Sequence, residues 1–234
     1  MNYLEYRFDV LPSTQDFLRE KRGEGQDMLA VAVKQSGGKG TNNRSYECAK
    51  GGLWLSYLHF HQDTPARDAF LMMARAAVAV CKTLEEYGLT PQIKWANDVL
   101  VGGKKVCGVL TENVLSGDKI TSTLWGIGIN ANNPLSASIS GFATTLSTCL
   151  NGYVAVAPLE RRLLFHLMNE FTFEEYKNRL AFLGEEVAFV QGEKRFAATF
   201  LGVTDCGEVL LEIDGQQRRF AYGEIAFAKK DERE

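Results

Sequence analysis

Apolar and polar residues alternate over residues 3–10, the period of a strand with one buried face. Ser13 then stands where a helix N-cap belongs, with Asp16 three residues on as a variant capping-box partner. Residues 29–35 predict a short apolar strand that runs into Gly37-Gly38-Lys39-Gly40, and Leu53 to Phe60 predicts another, so strands flank a glycine-rich loop. From Arg67 to Tyr87 the period changes: Phe70, Met73, Ala77, Val80, Leu84 and Tyr87 recur at steps of three and four, with Gly88 at the C-cap position. That pattern predicts an amphipathic helix covering a sheet, with Met72 and Met73 as core. Val99 and Val101, a turn at Gly102-Gly103, then Val106, Val109 and Leu110 predict a hairpin. A second helix is expected to begin near Pro158 and to run through Leu163, Leu167 and Phe171.

After Leu183 the texture shifts to short strands at 187–189, 196–200, 209–213 and 219–222, separated by Gln191-Gly192, Asp205-Cys206-Gly207 and Asp214-Gly215. This punctuation suits a small antiparallel barrel, and it sets an expected boundary near residue 184, between units 1–183 and 184–234. The fold class predicted is α+β, a sheet covered by helices with a small β module appended.

Composition narrows the function classes. A chain of 234 residues, 45% apolar, has room for one sizeable core and a small module. The net charge is −3 and no segment concentrates Lys and Arg, so nucleic acid is not an expected partner. The five cysteines are scattered and form no metal-ligand spacing; they read as reduced core residues of a cytoplasmic protein. No signal-like N-terminus and no run of about eighteen apolar residues is present, so no membrane span is expected.

Candidate chemistry is densest from Lys94 to Glu112. Lys94-Trp95-Ala96-Asn97-Asp98 precedes the hairpin, Lys104-Lys105-Val106-Cys107-Gly108 follows its turn, and Glu112 closes the stretch. Charges held among residues apolar enough to be buried belong to a site more readily than to a solvated hairpin. In the glycine loop, backbone N–H groups can approach an anion closely and Lys39 adds a cation, yet the spacing is neither a Walker A nor a dinucleotide motif. His59 and His61 alternate onto one strand face in two-ligand geometry, but no third ligand follows, so they are expected to be surface or rim histidines. His166 reads as structural.

Together these residues resemble the biotin protein ligases. Lys-Trp-X-Asn-Asp, a short turn, Lys-X-X-Gly and Glu is similar to that family's core signature; Gln35-Ser36-Gly37-Gly38-Lys39-Gly40 resembles its ligand loop; Ser13-Thr14-Gln15 resembles its Ser-Thr-Asn, and Gly126-Ile127-Gly128-Ile129-Asn130 its Gly-X-Gly-X-Asn. The chain departs from the family pattern at Ala96 (Pro), Lys39 (Arg), Asn43 (Gly) and Tyr46 (Trp).

The resemblance implies a mixed-sheet catalytic domain of the biotin/lipoyl ligase type, followed by an SH3-like barrel. It implies a two-step reaction. The biotin carboxylate attacks the α-phosphorus of ATP, giving biotinyl-5′-AMP and pyrophosphate; a lysine amine of a biotin carboxyl carrier protein then attacks the acyl carbon and AMP leaves. By the same resemblance Lys105 is the catalytic lysine. Ser13, Thr14, Gln15, Gln35, Lys39, Gly40, Thr41 and Lys105 bind biotin, and Gly38, Lys39, Gly40, Asn97, Asp98 and Asn130 bind ATP or the adenylate, with Asp98 acting through Mg²⁺.

Several readings stay open at this level. Ser13 serves equally as a plain N-cap and Asn130 as a turn residue, while Trp95 and Trp125 suit either the slot or the core. Glu112 is either a catalytic group or a structural partner of Lys94, and Lys39 has no evident partner before a phosphate arrives, so the loop is expected to close on ligand. Monomer and homodimer are both compatible with the edge strand. A ligase without the helix-turn-helix segment that some relatives carry is favoured, because Ser13 follows only twelve residues. The alternatives are a DNA-binding regulator, a lipoyl or octanoyl ligase or transferase, and a non-catalytic biotin-binding protein.

Overall fold

The computed structural model describes residues 3–40 and 45–228. Seven strands form the larger sheet: β1 (Leu4–Leu11), β2 (Met28–Gln35), β3 (Leu53–Pro65), β4 (Pro91–Lys94), β5 (Asp98–Val101), β6 (Lys104–Ser116) and β7 (Lys119–Ile129). Their order is β1-β2-β3-β7-β6-β5-β4. Only β1 and β2 run parallel, joined by a crossover through helix α1 (Thr14–Glu20), so the sheet is mixed and β1 is indeed an edge.

The period-2 alternation divides β3 and β7 between two faces. On one side Leu55, Tyr57, Trp125 and Ile127 meet α2 (Ala69–Glu85) and α4 (Val156–Met168) in the main core. On the other, Leu58 and Leu124 meet Leu18 of α1 together with Met28 and Ala30 of β2. Because α1 has only seven residues, it covers one end of its face and leaves the rest of that face for a site. The predicted helix over 67–87 is a 3-10 turn followed by α2, and Gly88 closes it at φ +76°, a conformation L side chains rarely adopt. Pro158 lies in the first turn of α4, where its missing N–H leaves no helical bond unmade. Short helices α3 (Leu146–Cys149) and α5 (Phe173–Lys177) complete the cover.

Beyond residue 184, β8 (Glu186–Gln191), β9 (Lys194–Val203), β10 (Val209–Ile213), β11 (Gln216–Phe220) and β12 (Ala226–Phe227) form a second sheet, ordered β11-β10-β9-β8-β12. Every pairing in it is antiparallel. A closed barrel was expected; the described end strands β11 and β12 do not pair with each other, so the observed unit is a five-stranded sheet. The two-residue β12 escaped the sequence reading because it is too short to show a period. The main core runs on into this sheet through Phe189, Phe200, Val209 and Leu211.

Candidate active site

Three glycines form the floor of a slot on the α1 face of the larger sheet, which the Tyr46 ring and the Gln15 amide fill. Gly108 of β6 pairs with Gly128 of β7, and Gly126 lies two residues back on the same face. A Cβ on Gly108 would lie 3.0 Å from the Tyr46 ring and 3.2 Å from Lys105 Nζ, and one on Gly128 would lie 2.8 Å from Tyr46 and 3.3 Å from Trp54. One on Gly126 would strike the Gln15 amide. Glycine is therefore a requirement of space here, because any side chain would strike the groups that fill the slot.

Lys105 stands at the edge of this floor. Its main-chain nitrogen donates to Phe142 O (2.9 Å) and its carbonyl accepts from Thr144 N (2.8 Å), so the segment after β7 anchors the backbone while the side chain stays half-buried. Lys105 Nζ pairs with Asp98 Oδ1 at 2.5 Å and lies 5.4 Å from the centre of the Tyr46 ring. Asp98 pairs across the sheet with both Lys94 and Gly108, which brings Lys94 to the same cluster. Burial pushes the Lys94 ammonium below its ordinary range, and Lys105 adds to that while Asp98 opposes it. Two cations and one carboxylate make a region suited to anions. Asn97 is committed to the scaffold: its side-chain amide and its carbonyl both bond the backbone of Val109.

Polar side chains run from the loop strand across the slot wall to α1. Gln35 Oε1 accepts from Thr14 N (2.6 Å) and Thr14 Oγ1 (3.0 Å); Thr14 Oγ1 lies 2.8 Å from Ser56 Oγ, which donates to Gln15 Oε1 (3.1 Å). Gln15 Nε2 then donates to Glu112 Oε1 (3.1 Å). Ser13 caps α1 by accepting from Asp16 N at 3.2 Å, but the Asp16 carboxylate turns to Arg19 and Lys39 and completes no capping box.

Two expectations are corrected by these contacts. Lys39 already has a partner, Asp16, at 2.8 Å, because the loop folds back over the start of α1. Glu112 pairs with Arg19 (2.6 Å) and Arg22 (3.2 Å) rather than with Lys94, since it lies on β6 beneath α1, beyond the reach of β4. Burial works to raise the Glu112 carboxyl, but the hydrogen bonds from Arg19 and Gln15 hold it below its ordinary range; burial and the Lys39 and Arg19 bonds act on Asp16 in the same way.

The base of the glycine loop is paired: Gly38 O accepts from Tyr46 N (2.8 Å), and Lys39 bridges to Ser45. A Cβ on Gly38 would lie 2.5 Å from Tyr46 O, so this glycine too is fixed by close approach. Gly40 is the last described residue of this arm; Thr41 and Asn43 lie outside the described residues. Tyr46 spans the floor and its hydroxyl donates to Gly128 O at 3.0 Å; burial raises its phenol well above the ordinary value.

Asn130 ends β7 buried, with its main chain bonded to Val106 and Leu146 and its Oδ1 accepting from Asn133 Nδ2 (3.2 Å). The Oδ1 of Asn133 is buried without a partner among the described residues. Trp125 belongs to the opposite face, where its indole N–H donates to Met72 O, so it does not line the slot. Trp95 is buried against Tyr222 of the C-terminal unit. Ser56 escaped the sequence reading; Gly108, Gly126, Gly128 and Tyr46 were read as parts of the family motifs but given no role in the site, although small residues spaced by two on one strand were the available signal.

Comparison with known proteins agrees with this geometry. Residues 7–130 match the model of the biotin/lipoate A/B protein ligase family. The chain is 33% identical over 223 residues to the bifunctional ligase/repressor BirA of Bacillus subtilis, covering 87% of this chain and 68% of that protein. It is 27% identical over 149 residues to a biotin–[acetyl-CoA-carboxylase] ligase of Paracoccus denitrificans, covering 58% of this chain and 62% of the other. A solved structure of the biotin protein ligase of Aquifex aeolicus in complex with biotin and ATP superposes with a TM-score of 0.77 at 27% identity, covering 97% of this chain and 99% of that one. With a mixed sheet, a glycine-floored slot and a paired lysine all in the matched frame, the chain belongs to the biotin/lipoate A/B protein ligase family, among its biotin protein ligases.

Proposed function

We propose that this protein is an ATP-dependent ligase that activates biotin as biotinyl-5′-AMP and transfers it to a lysine of a biotin carboxyl carrier domain. The observation that carries the reading is the slot itself: a floor that admits no side chain, beside an ammonium held by a carboxylate. Biotin's flat ring system and chain would take the place over Gly108 and Gly128 that the Tyr46 ring holds here, with Thr14, Gln15, Gln35 and Ser56 supplying fixed polar groups at the wall. By the resemblance, Ser13, Gly40 and Thr41 would also contact biotin.

The first step brings two anions together, so the cations matter most. Lys105 would leave Asp98 for the biotin carboxylate and α-phosphate, offsetting the charge that builds as the bond to phosphorus forms and pyrophosphate departs. Lys39 would exchange Asp16 for the ligand in the same way, with the Gly38 and Gly40 backbone beside it. Asn130 and Asn97 border the nucleotide, Asn97 by holding the turn rather than by direct contact.

Among the described residues no group of three or more His, Cys, Asp or Glu gathers to hold a metal ion. A lone carboxylate at Asp98 nonetheless fits Mg²⁺, which keeps waters and takes its other ligands from substrate phosphates. When bound there it would neutralise phosphate charge.

The C-terminal sheet, taken as a unit from residue 184, would curl into an SH3-like barrel around Phe189, Phe196, Phe200 and Phe227, whose rings pack on one another. Among the described residues no helix is long and apolar enough to cross a membrane; the ligase reading is of a cytoplasmic enzyme. The β1 edge offers a surface for a homodimer. The family model spans biotin and lipoate chemistry, so the deciding experiment offers ATP and Mg²⁺ with either acid and reads the acyl-adenylate by mass. Biotinyl-5′-AMP is expected, followed by biotinylation of a carrier domain; a preference for lipoate, or no adenylate at all, overturns the proposal.

A further inference from the structure

A cavity of about 280 Å³ lies on the face of the larger sheet opposite the slot, between β3, β7, α2 and α4. Met72, Trp125, Leu167 and Met168 supply its apolar wall, and Arg75 and His59 its polar groups. Trp125 presents only its ring, because its indole N–H is already bonded to Met72 O at 2.7 Å.

Arg75 is a half-buried guanidinium with no carboxylate partner among the described residues. Its Nη1 donates to the carbonyls of Leu167 (3.3 Å) and Asn169 (2.8 Å) at the C-terminal end of α4, and its guanidinium carbon lies 5.7 Å from the centre of the Phe171 ring, so the fork is fixed but meets no anion. No acid lines the cavity. Asp27, the nearest carboxylate to His59, is occupied by Tyr57 OH (3.2 Å), His59 Nδ1 (2.7 Å) and Phe60 N (2.9 Å). The Nδ1 contact leaves His59 Nε2 as the ring nitrogen without a partner among the described residues.

The histidine pair does not make a metal site. Thr123 Oγ1 donates to Asn113 Oδ1 (2.7 Å), so it accepts from His61 Nε2 (2.8 Å), and His61 Nδ1 then accepts from Thr64 Oγ1 (3.1 Å). Both nitrogens of His61 are used, which holds the ring as one neutral tautomer with no lone pair for a cation. A cavity with an unneutralised guanidinium, a single imidazole nitrogen and apolar walls selects an anion with an apolar body. Its volume lies below the roughly 300–1,000 Å³ usual for drug-sized ligands, which restricts the occupant to a small molecule.

We propose that this cavity binds a small organic monocarboxylate, its carboxylate on Arg75 and its apolar body against Met72 and Met168. The site is separate from the slot and independent of the ligase reading. Hexanoate is the probe, titrated against the full chain by saturation-transfer NMR, with hexan-1-ol and hexylamine as controls and with biotinyl-5′-AMP present or absent. Saturable hexanoate binding is expected, with both controls at least about tenfold weaker, as loss of a charge-assisted contact implies. Arg75→Met is expected to weaken hexanoate by about tenfold or more and Arg75→Lys to restore part of it. Adenylate formation should stay unchanged in both variants, and biotinyl-5′-AMP should not displace the probe. Where Arg75→Met fails to fold, Met168→Glu, which sets a like charge at the half-buried wall, is expected to give the same loss. No saturable binding, equal binding of hexan-1-ol, wild-type affinity in Arg75→Met or in a folded Met168→Glu, or displacement by biotinyl-5′-AMP would each overturn the proposal.

Discussion

Lys105 owes its placement to its backbone rather than its side chain: Phe142 and Thr144 hold its peptide groups, and the ammonium is left to Asp98 and the Tyr46 ring. Lys105→Ala should therefore fold normally and lose about 10²–10³ in the rate of adenylate formation, read as pyrophosphate release. Retention of more than a tenth of the wild-type rate would remove Lys105 from that role. Gly128 tests the floor from the other side. With a Cβ 2.8 Å from the Tyr46 ring, Gly128→Ala forces that ring off its seat, at an overpacking cost of about 1–3 kcal/mol by thermal melting. Biotin binding should weaken together with stability; unchanged affinity by calorimetry would mean that biotin does not lie on this floor.

At the scale of elements, α1 is held to the sheet by charge on β6 as well as by Leu18 against β2, β3 and β7. Arg19 and Arg22 pair with Glu112, and Arg19 and Lys39 with Asp16, so both carboxylates sit lower in the folded protein than in the unfolded chain. Groups of that kind contribute stability that is present above their unfolded pKa and is lost as pH falls through the folded one. The loss should therefore begin near the ordinary carboxylate range, about pH 4, and continue below it. Glu112→Gln is expected to cost about 1 kcal/mol at neutral pH, the exposure of the pair keeping it small, with the gap to wild type closing as pH falls below about 4. A gap that stays constant in urea melts across this range would show that the charge of Glu112 contributes nothing.

For the molecule as a whole, the C-terminal sheet is part of the main core. Phe189 and Phe200 are fully buried in the cluster that includes Phe70 and Tyr176, Lys94 lies 5.3 Å from the centre of the Phe227 ring, and Trp95 packs on Tyr222. Phe189→Ala should cost about 3–5 kcal/mol and melt both sheets in one transition. Two separate transitions in calorimetry would instead mark residue 184 as a true domain boundary. Removing residues 184–234 should harm adenylate synthesis as well as transfer, because it uncovers Trp95 beside Asn97 and Asp98.

Local pattern alone carried α1, α2, α4, most strands and the charged hairpin, because periods of two and 3.6 record which face is buried at each position; α3 and α5 are too short to show a period, and α4 ends at Met168, short of the expected Phe171. Phe70 to Leu84 shows this for α2, and Val99 to Leu110 for the hairpin. Recognition of the ligase motifs likewise needed only residue order. Contacts between distant elements were another matter. That Glu112 meets Arg19 and not Lys94, that Lys39 rests on Asp16, and that Trp125 turns away from the slot depend on strand order and on which face α1 covers. Those choices are made by pairings between residues tens of positions apart, for which a linear pattern holds no register. The glycine floor joins both kinds of information: three small residues are written in the chain, and only the pairing of β6 with β7, beneath the Tyr46 ring, makes them one surface.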